Sequence, residues 1–242
     1  YMSKHSLGTW LSLPNESIAE IFAKAGYDWV VIDLEHSAIN INQAERLIRT
    51  IDLAGSKPFV RLSGHSSSQI KRVLDAGAKG ILAPMIESKD QIKGIISACH
   101  YPPRGNRGMG LARGQGYGEA SAKNEYITTT SKHIEIYAQI ESVAGITNLD
   151  SIFSQEIDGY FIGPYDLSTS LGNPGIFNSD EFINAEEQIL QASKQHQIKA
   201  GYHLVEPNQE EIPILLNKGY DMIAFSVDIR MLDLSARLPF IK

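Results

Sequence analysis

The chain has 242 residues, 43% of them apolar, which is enough for one sizeable hydrophobic core or two small ones. Its 22 basic and 28 acidic residues give a net charge of −6, which argues against a nucleic-acid partner. The single cysteine, Cys99, excludes an internal disulfide. Without a leader pattern or a long apolar run in the sequence, we expect a cytoplasmic protein with no membrane partner.

Short apolar stretches alternate with amphipathic helical patterns along the whole chain. Their cores are nearly continuous apolar runs, as expected for parallel strands that are covered on both faces. Glycine follows several of the helical patterns just before the next strand, as at Gly26, Gly77 and Gly219, where a left-handed residue can end a helix. The eight strand candidates begin, in chain order, at Gly8, Tyr27, Lys57, Gly80, Ile134, Asp158, Lys199 and Tyr220.

Eight such units in a chain of this length predict a (β/α)8 TIM barrel that forms a single domain over residues 2–242. A doubly wound open sheet is the alternative, because one sequence does not reveal the order of its strands. A stretch from Tyr101 to Gly118 interrupts the alternation and predicts a long loop. Its arginines, Arg104, Arg107 and Arg113, could bind a distal carboxylate or phosphate of a substrate, or a neighbouring subunit.

Catalytic groups of such barrels lie at the C-terminal ends of the strands. A barrel aldolase that forms a Schiff base needs a lysine there, but Lys57, Lys79 and Lys199 all lie at the opposite ends. Carbonyl chemistry would therefore require a metal as the electrophile. The polar residues at or just past the C-terminal ends are Asp33, Glu35, His36, Arg61, Gln139, Glu141, Asp166 and His203.

These residue types suit metal-assisted chemistry on a keto acid. Glu141 and Asp166 could supply two oxygen ligands to Mg²⁺ or Mn²⁺. Arg61 could hold a substrate carboxylate bidentately, and Asp33 could orient the ring of His36 and raise its basicity. Structural roles stay open: Asp166 could cap a helix, Glu141 could favour a helix dipole, and Arg61 could be an ion-pair partner.

Six blocks of the sequence are informative together: DLEHS, FVRL, KRVLDAGAKGILAPMIES, YPPRGNRG, QIES and IDGYFIGPYDLSTSLG. In this order and at these separations they resemble the HpcH/HpaI family of class II pyruvate aldolases. That family includes 2-keto-3-deoxyglucarate aldolases and 4-hydroxy-2-oxoheptanedioate aldolases. The resemblance covers essentially the whole chain, and its most specific blocks are D-x-E-H, Q-x-E-S and G-P-x-D-L-S.

The resemblance implies a barrel of the phosphoenolpyruvate/pyruvate type, with Mg²⁺ or Mn²⁺ (alternatively Co²⁺) held by Glu141 and Asp166. It makes Arg61 the residue that binds the keto acid and His36 the catalytic base, supported by Asp33. It also implies a homo-oligomer, a hexamer by analogy, whose small-molecule partners are a keto acid and an aldehyde. The other implied site residues are Glu35, which holds metal-bound water, Gln139, and the carboxylate-binding backbone at Gly163, Pro164 and Tyr165.

The expected reaction is the reversible cleavage of a 4-hydroxy-2-oxo acid to pyruvate and an aldehyde through a metal-stabilised pyruvate enolate, as in an aldehyde-lyase. An acyl-CoA lyase of the citrate lyase β type and a non-catalytic barrel that binds a keto acid or a metal are the alternatives. Three positions depart from the commoner family pattern, namely His203, Tyr165 and the segment SGHSSSQ after Arg61. We expect all three to face the aldehyde half of the substrate, so the physiological aldehyde stays open.

Overall fold

The computed structural model describes residues 5–240. Its eight parallel strands close a barrel in sequence order, which confirms the predicted (β/α)8 architecture and excludes the open sheet. The strands are β1 (Ser6–Leu11), β2 (Trp29–Asp33), β3 (Lys57–Arg61), β4 (Gly80–Ala83), β5 (Glu135–Ile140), β6 (Gly159–Ile162), β7 (Lys199–Leu204) and β8 (Met222–Val227).

Helices connect the strands and pack on the outer face of the barrel. Within residues 5–240, no helix has the length and apolar composition that a membrane span requires. The helices are α1 (Glu16–Ala25), α2 (Ile41–Leu53), α3 (Ser67–Asp75), α4 (Lys89–Cys99), α5 (Ala120–Thr128), α6 (Val143–Thr147), α7 (Leu149–Phe153), α8 (Pro164–Ser170), α9 (Asp180–His196), α10 (Glu211–Lys218) and α11 (Asp228–Arg237), with 3-10 segments at Arg113–Gly118, Thr130–His133 and Leu238–Phe240.

Local sequence signals fix where these helices begin and end. Asn40 accepts hydrogen bonds from the first turn of α2, and the side chain of Gln43 accepts one from the Asn40 amide in return. Gly26, Gly77 and Gly219 have φ values of 105°, 107° and 117°, a left-handed conformation that residues with a Cβ seldom adopt. The glycine positions predicted to end three helices are therefore confirmed.

Side chains alternate between the two faces of each strand, and this alternation decides which residues enter the barrel. In β2, Val30 and Ile32 pack outward against the helices, whereas Trp29 and Val31 join the cluster inside the barrel. Asp33 is the next inward position. The interior cluster consists of Trp10, Trp29, Val31, Phe59, Leu82, Tyr137, Phe161, Met222 and Ala224.

One buried carboxylate joins the segment that follows β1 to α11. Asp228, the first residue of α11, accepts hydrogen bonds from the Ser12 amide (2.9 Å), the Ser12 hydroxyl (2.7 Å) and the Leu13 amide (2.8 Å). These residues directly follow β1, which pairs with β8 to close the barrel. We call this contact the closing clasp.

The long segment after α4 is anchored by its own arginines. Each of the three forms an ion pair with an acid that precedes β3, β4 or β6, so the arginines are engaged at the N-terminal end of the barrel. We therefore assign them no contact with a substrate. The pairs are Arg104 with Glu156 (3.0 Å), Arg107 with Asp75 (2.6 Å) and Arg113 with Asp52.

Candidate active site

The predicted site residues meet at the rim formed by the last residues of the eight strands and the residues that directly follow them, here called the C-terminal mouth. Asp33 and Arg61 end β2 and β3 and lie side by side in the register of these two strands. In β5, Tyr137 belongs to the interior cluster, so Gln139 and Glu141 continue the same inward series. The alternation of each strand thus brings separate acids, an amide and a guanidinium to one place.

Asp33 and Arg61 form a buried bidentate ion pair. The Arg61 Nε lies 2.9 Å from Asp33 Oδ1, and Nη2 lies 2.6 Å from Oδ2. Burial alone would raise the pKa of Asp33, but the hydrogen bonds and charge of Arg61 outweigh it and lower that pKa. The guanidinium carbon also lies 5.4 Å from the ring centre of Trp10. Arg61 is therefore held in one orientation by a charge, a fork of hydrogen bonds and an aromatic face.

Glu35 and His36 lie in the loop that follows β2. The Glu35 Oε2 atom is 3.2 Å from Arg61 Nη1 and 4.0 Å from the Nε2 of His36, whose side chain is largely exposed. Burial raises the pKa of Glu35, and the positive charge of Arg61 opposes this shift.

The expected contact of Asp33 with the imidazole of His36 is replaced by a backbone contact. Asp33 Oδ1 accepts hydrogen bonds from the backbone amides of Glu35 (2.9 Å) and His36 (3.3 Å). Its other oxygen is occupied by Arg61. Asp33 thus positions His36 through the loop backbone, and the carboxylate nearer to the imidazole is that of Glu35. The reason is the strand register, which places the Arg61 guanidinium directly beside Asp33.

Glu141 is a buried carboxylate with few donors around it. Its Oε1 accepts a hydrogen bond from the Met85 amide (2.7 Å), and its Oε2 accepts one from the side chain of Gln139 (3.2 Å). Burial raises the pKa of Glu141 to about 7, and the nearby carboxylates of Glu35 and Asp166 contribute in the same direction. Among the described residues, the buried Oε1 of Gln139 has no hydrogen-bond partner.

Backbone geometry brings two neighbouring segments close to Glu141. Met85 has a φ of 48°, an uncommon left-handed conformation in which its amide reaches the carboxylate. A Cβ added to Gly163 would lie 2.3 Å from Glu141 Oε2, so a residue other than glycine would displace this side chain. These two backbone positions fix the place of the Glu141 carboxylate.

Asp166 lies in the first turn of α8, on the side of the mouth opposite β2. It is exposed, and the residue at the cap position is Gly163 rather than Asp166, so the alternative reading of Asp166 as the helix cap is wrong. Pro164 is buried at the start of the helix. Tyr165 is 47% exposed and its ring meets the Phe177 ring edge-on at 5.1 Å.

The donor set of the mouth consists of carboxylate and amide oxygens, which suit Mg²⁺ or Mn²⁺ better than a soft metal. Among residues 5–240, no group of three or more His, Cys, Asp or Glu side chains is already arranged for metal binding. Glu141 and Asp166 are nonetheless close enough for the charge of Asp166 to raise the pKa of Glu141.

A contact at the mouth joins His203, which we expected to face the aldehyde half of the substrate, to Trp10, which had no assigned role in the sequence. Trp10, an inward residue of β1, stacks on the imidazole of His203 with ring centres 4.3 Å apart and an interplanar angle of 11°. The Nε2 of His203 lies 3.2 Å from the carbonyl oxygen of Ser226, and burial lowers the pKa of His203 to about 4. The inward alternation of β1 would have identified Trp10, but no sequence pattern links it to His203.

Known proteins resemble this chain over nearly its whole length. The hydroxypyruvate/pyruvate aldolase of Rhizorhabdus wittichii is 35% identical over 96% of this chain and 91% of its own. The 2-keto-3-deoxy-L-rhamnonate aldolase of Salmonella gallinarum is 34% identical over 98% of this chain and 88% of its own. Both names support an aldolase activity.

The fold comparison agrees with the sequence comparison. A crystal structure of an HpcH/HpaI aldolase/citrate lyase family protein from Burkholderia cenocepacia J2315 superimposes with a TM-score of 0.91. It is 29% identical, and the match covers 99% of this chain and 95% of that one. The model of the HpcH/HpaI aldolase/citrate lyase family matches residues 6–233, which confirms the resemblance seen in the sequence: the chain belongs to this family.

Proposed function

We propose that this protein is a class II pyruvate aldolase that requires a divalent metal and reversibly cleaves a 4-hydroxy-2-oxo acid to pyruvate and an aldehyde. One observation carries the proposal. Three carboxylates, those of Glu35, Glu141 and Asp166, lie close enough to interact electrostatically, and two of them, Glu35 and Glu141, also interact with the buried guanidinium of Arg61. Together with the family and the names of its members, this arrangement supports chemistry on a small anionic keto acid.

The residues fit a divalent metal. Glu141 and Asp166 are the proposed ligands, because burying Glu141 near other carboxylates disfavours its charged form and a cation would offset this cost. The unpartnered Oε1 of Gln139 adds an uncharged oxygen to the same place. Mg²⁺ or Mn²⁺ suits such donors, with Co²⁺ an alternative. When bound, the metal would polarise the keto oxygen and lower the energy of negative charge that develops there.

The proposed reaction begins with the keto acid positioned by the chain. Arg61 binds it through the guanidinium group that Asp33 and Trp10 hold in place. The backbone from Gly163 to Tyr165 receives the carboxylate of the pyruvate half.

Bond cleavage requires one proton transfer. His36, directly or through water, takes the proton from the C4 hydroxyl, and C4 becomes the carbonyl carbon of the leaving aldehyde. The electrons of the C3–C4 bond move onto the pyruvate half and form its enolate, whose charge Arg61 offsets. The Glu35 carboxylate lies 4.0 Å from the imidazole, where it can pair with the imidazolium that this step forms. Protonation at C3 then gives pyruvate, and synthesis reverses these steps.

The experiment that tests this function requires no assumption about the aldehyde. The protein is incubated with pyruvate in D₂O with Mg²⁺ or Mn²⁺, and then with a chelator, while NMR follows the methyl protons of pyruvate. We expect loss of this signal that depends on the metal and is absent in His36→Ala and Arg61→Ala. A methyl signal that persists with metal present would contradict the proposal and favour the acyl-CoA lyase or the non-catalytic barrel.

We also propose a homo-oligomer, a hexamer by analogy with the family. The last described helix supports this, because α11 and the segment after it expose large apolar side chains to solvent. Their exposed fractions are 48% for Ile229, 57% for Leu232, 67% for Leu238 and 84% for Phe240. Light scattering on the protein as it elutes from a size-exclusion column would give its mass in solution. The mass of a monomer would contradict the proposal.

A further inference from the structure

The charges around the C-terminal mouth are strongly unequal. Asp33, Glu35, Glu141 and Asp166 contribute four carboxylates, and Arg61 is the cation that contacts two of them. A divalent cation would reduce this excess of negative charge without reversing it. Pyruvate brings a further negative charge. A second substrate that is itself an anion would therefore enter a region already short of positive charge.

An arginine that follows β8 on this rim is also engaged. Arg230, in the first turn of α11, binds the carboxylate of Glu206 through contacts of 2.9–3.0 Å and that of Asp233 at 3.0 Å. Within residues 5–240, no lysine lies within two positions of the C-terminal end of a strand. Among the described residues, neither Arg230 nor a lysine at the strand ends therefore offers an unpaired positive charge to a carboxylate or phosphate of the acceptor.

His203 occupies the place on β7 where such a cation could have been. Its imidazole lies flat on Trp10, the same indole whose face meets Arg61. Its Nε2 faces the carbonyl oxygen of Ser226 at 3.2 Å, so this nitrogen carries the proton and donates it. Burial and the nearby positive charge of Arg61 lower the pKa of this half-buried ring to about 4, so it is neutral at pH 7. It adds hydrogen-bonding surface beside the keto-acid position and no charge.

We propose that the acceptor of this enzyme is an uncharged aldehyde and that His203 is the residue that determines this selectivity. The inference rests on the proposed aldolase function and adds the chemical class of the second substrate. An aldehyde with a distal carboxylate would meet carboxylates and a neutral imidazole, whereas an uncharged one of the same length would pack against Trp10 and His203 without electrostatic repulsion.

The test compares two acceptors that differ in charge and little else. Synthesis from pyruvate is measured with 4-oxobutanoate and with its methyl ester, and kcat/KM is obtained for each. We expect the ester to be preferred by at least about tenfold. Equal values, or a preference for 4-oxobutanoate, would overturn the inference.

Two variants test the role of His203 through the ratio of the two kcat/KM values, which does not depend on total activity. His203→Lys places a cation on β7 and should lower the preference for the ester by about tenfold or reverse it. The matched variant His203→Gln keeps a neutral, polar side chain and should retain the preference. If His203→Lys has the ratio of the unmodified protein, another residue determines selectivity.

Failure of the underlying function would look different. Exchange of the pyruvate methyl protons in D₂O needs no acceptor, so its absence would reject the aldolase itself. Exchange together with a preference for 4-oxobutanoate would reject only the uncharged acceptor.

Discussion

Both ends of the barrel carry charged residues but use them differently. At the N-terminal end, three aspartates each accept a hydrogen bond from a backbone amide beside them. Glu135 is neutralised there by Lys57 (2.7 Å) and Lys199 (3.1 Å). The aspartate contacts are Asp28 with Leu7 (2.8 Å), Asp158 with Ile136 (2.8 Å) and Asp221 with Ala200 (3.0 Å).

The C-terminal mouth leaves its charges incompletely paired. Asp33 is matched by Arg61, but Glu141 receives two neutral hydrogen bonds and lies close to other carboxylates, which raises its pKa to about 7. A glutamate thus stabilises the fold through ion pairs at the N-terminal end, whereas a glutamate at the mouth is repelled by neighbouring carboxylates. A stable fold does not require such repulsion, so a functional ligand is the simplest reason for it.

The largest effect is expected from Arg61→Ala. Removing the guanidinium should slow pyruvate exchange by about 10²–10³-fold, because one donor to the developing negative charge is lost. It also leaves Asp33 buried without its partner, which should lower the free energy of unfolding by about 3–5 kcal/mol. NMR exchange and urea denaturation measure the two effects.

Lys57→Ala is the control for that change at the opposite end. The Lys57 side chain is 59% exposed, so its ion pair with Glu135 should contribute less than about 1 kcal/mol, and exchange should continue unchanged. An Arg61→Ala protein that retained full exchange would remove the distinction between the two ends.

A second pair of variants separates metal binding from stability. Glu141→Gln should weaken Mn²⁺ binding by at least about 100-fold in a calorimetric titration, because an anionic ligand becomes neutral. The free energy of unfolding of the metal-free protein at pH 8 should not fall, since the variant no longer buries a charge.

Glu135→Gln should give the opposite result. Two lysines and the Tyr137 hydroxyl lose a charged partner, so stability should fall by about 2 kcal/mol while Mn²⁺ affinity stays constant. Equal loss of Mn²⁺ affinity in both variants would contradict the assignment of Glu141.

His203 predicts a pH dependence of stability. Its folded-state pKa of about 4 lies below the usual 6.5, so between these pH values the unfolded chain binds a proton that the folded chain excludes. The contribution of His203 to the free energy of unfolding is therefore fully present above pH 6.5 and is lost as the pH falls towards 4.

His203→Gln removes this titration, so its stability should fall by about 2 kcal/mol less than that of the unmodified protein between pH 6.5 and pH 4. Urea denaturation at several pH values would show the difference. Parallel pH profiles for the two proteins would mean that His203 is not buried in neutral form.

The smallest effect is expected from Asp28→Asn at the N-terminal end. The exposed Asp28 carboxylate accepts one hydrogen bond from the Leu7 amide, and an asparagine oxygen can still accept it. Stability should change by less than about 1 kcal/mol, with no change in pyruvate exchange. A large loss of exchange would show that the two ends are coupled.

The sequence predicted the barrel because the relevant signals are local. Eight apolar runs, three glycines that end helices, and the position of Asp33, Arg61 and Glu141 at or just past the ends of strand candidates can all be identified within a few positions. Placement at the mouth follows because the C-terminal ends of all strands in such a barrel meet at one rim.

Contacts between distant side chains could not be predicted. The pairing of Asp33 with Arg61 depends on the register of β2 and β3, and the stacking of Trp10 on His203 joins strands that lie on either side of β8. The left-handed backbone conformation of Met85 could not be predicted either, because methionine has no preference for this conformation.

The closing clasp has a consequence for how the protein is made. Ser12 and Asp228 are separated by 216 positions, so the clasp can form only after all eight strands have been synthesised. Until then β1 lacks β8 as its neighbour, and Trp10 has no His203 to stack on before β7 is complete. The newly synthesised chain must therefore keep β1 available for pairing while the other strands are added. Contacts between residues so far apart in sequence slow folding. The first strand is synthesised first and is among the last to acquire its full set of neighbours.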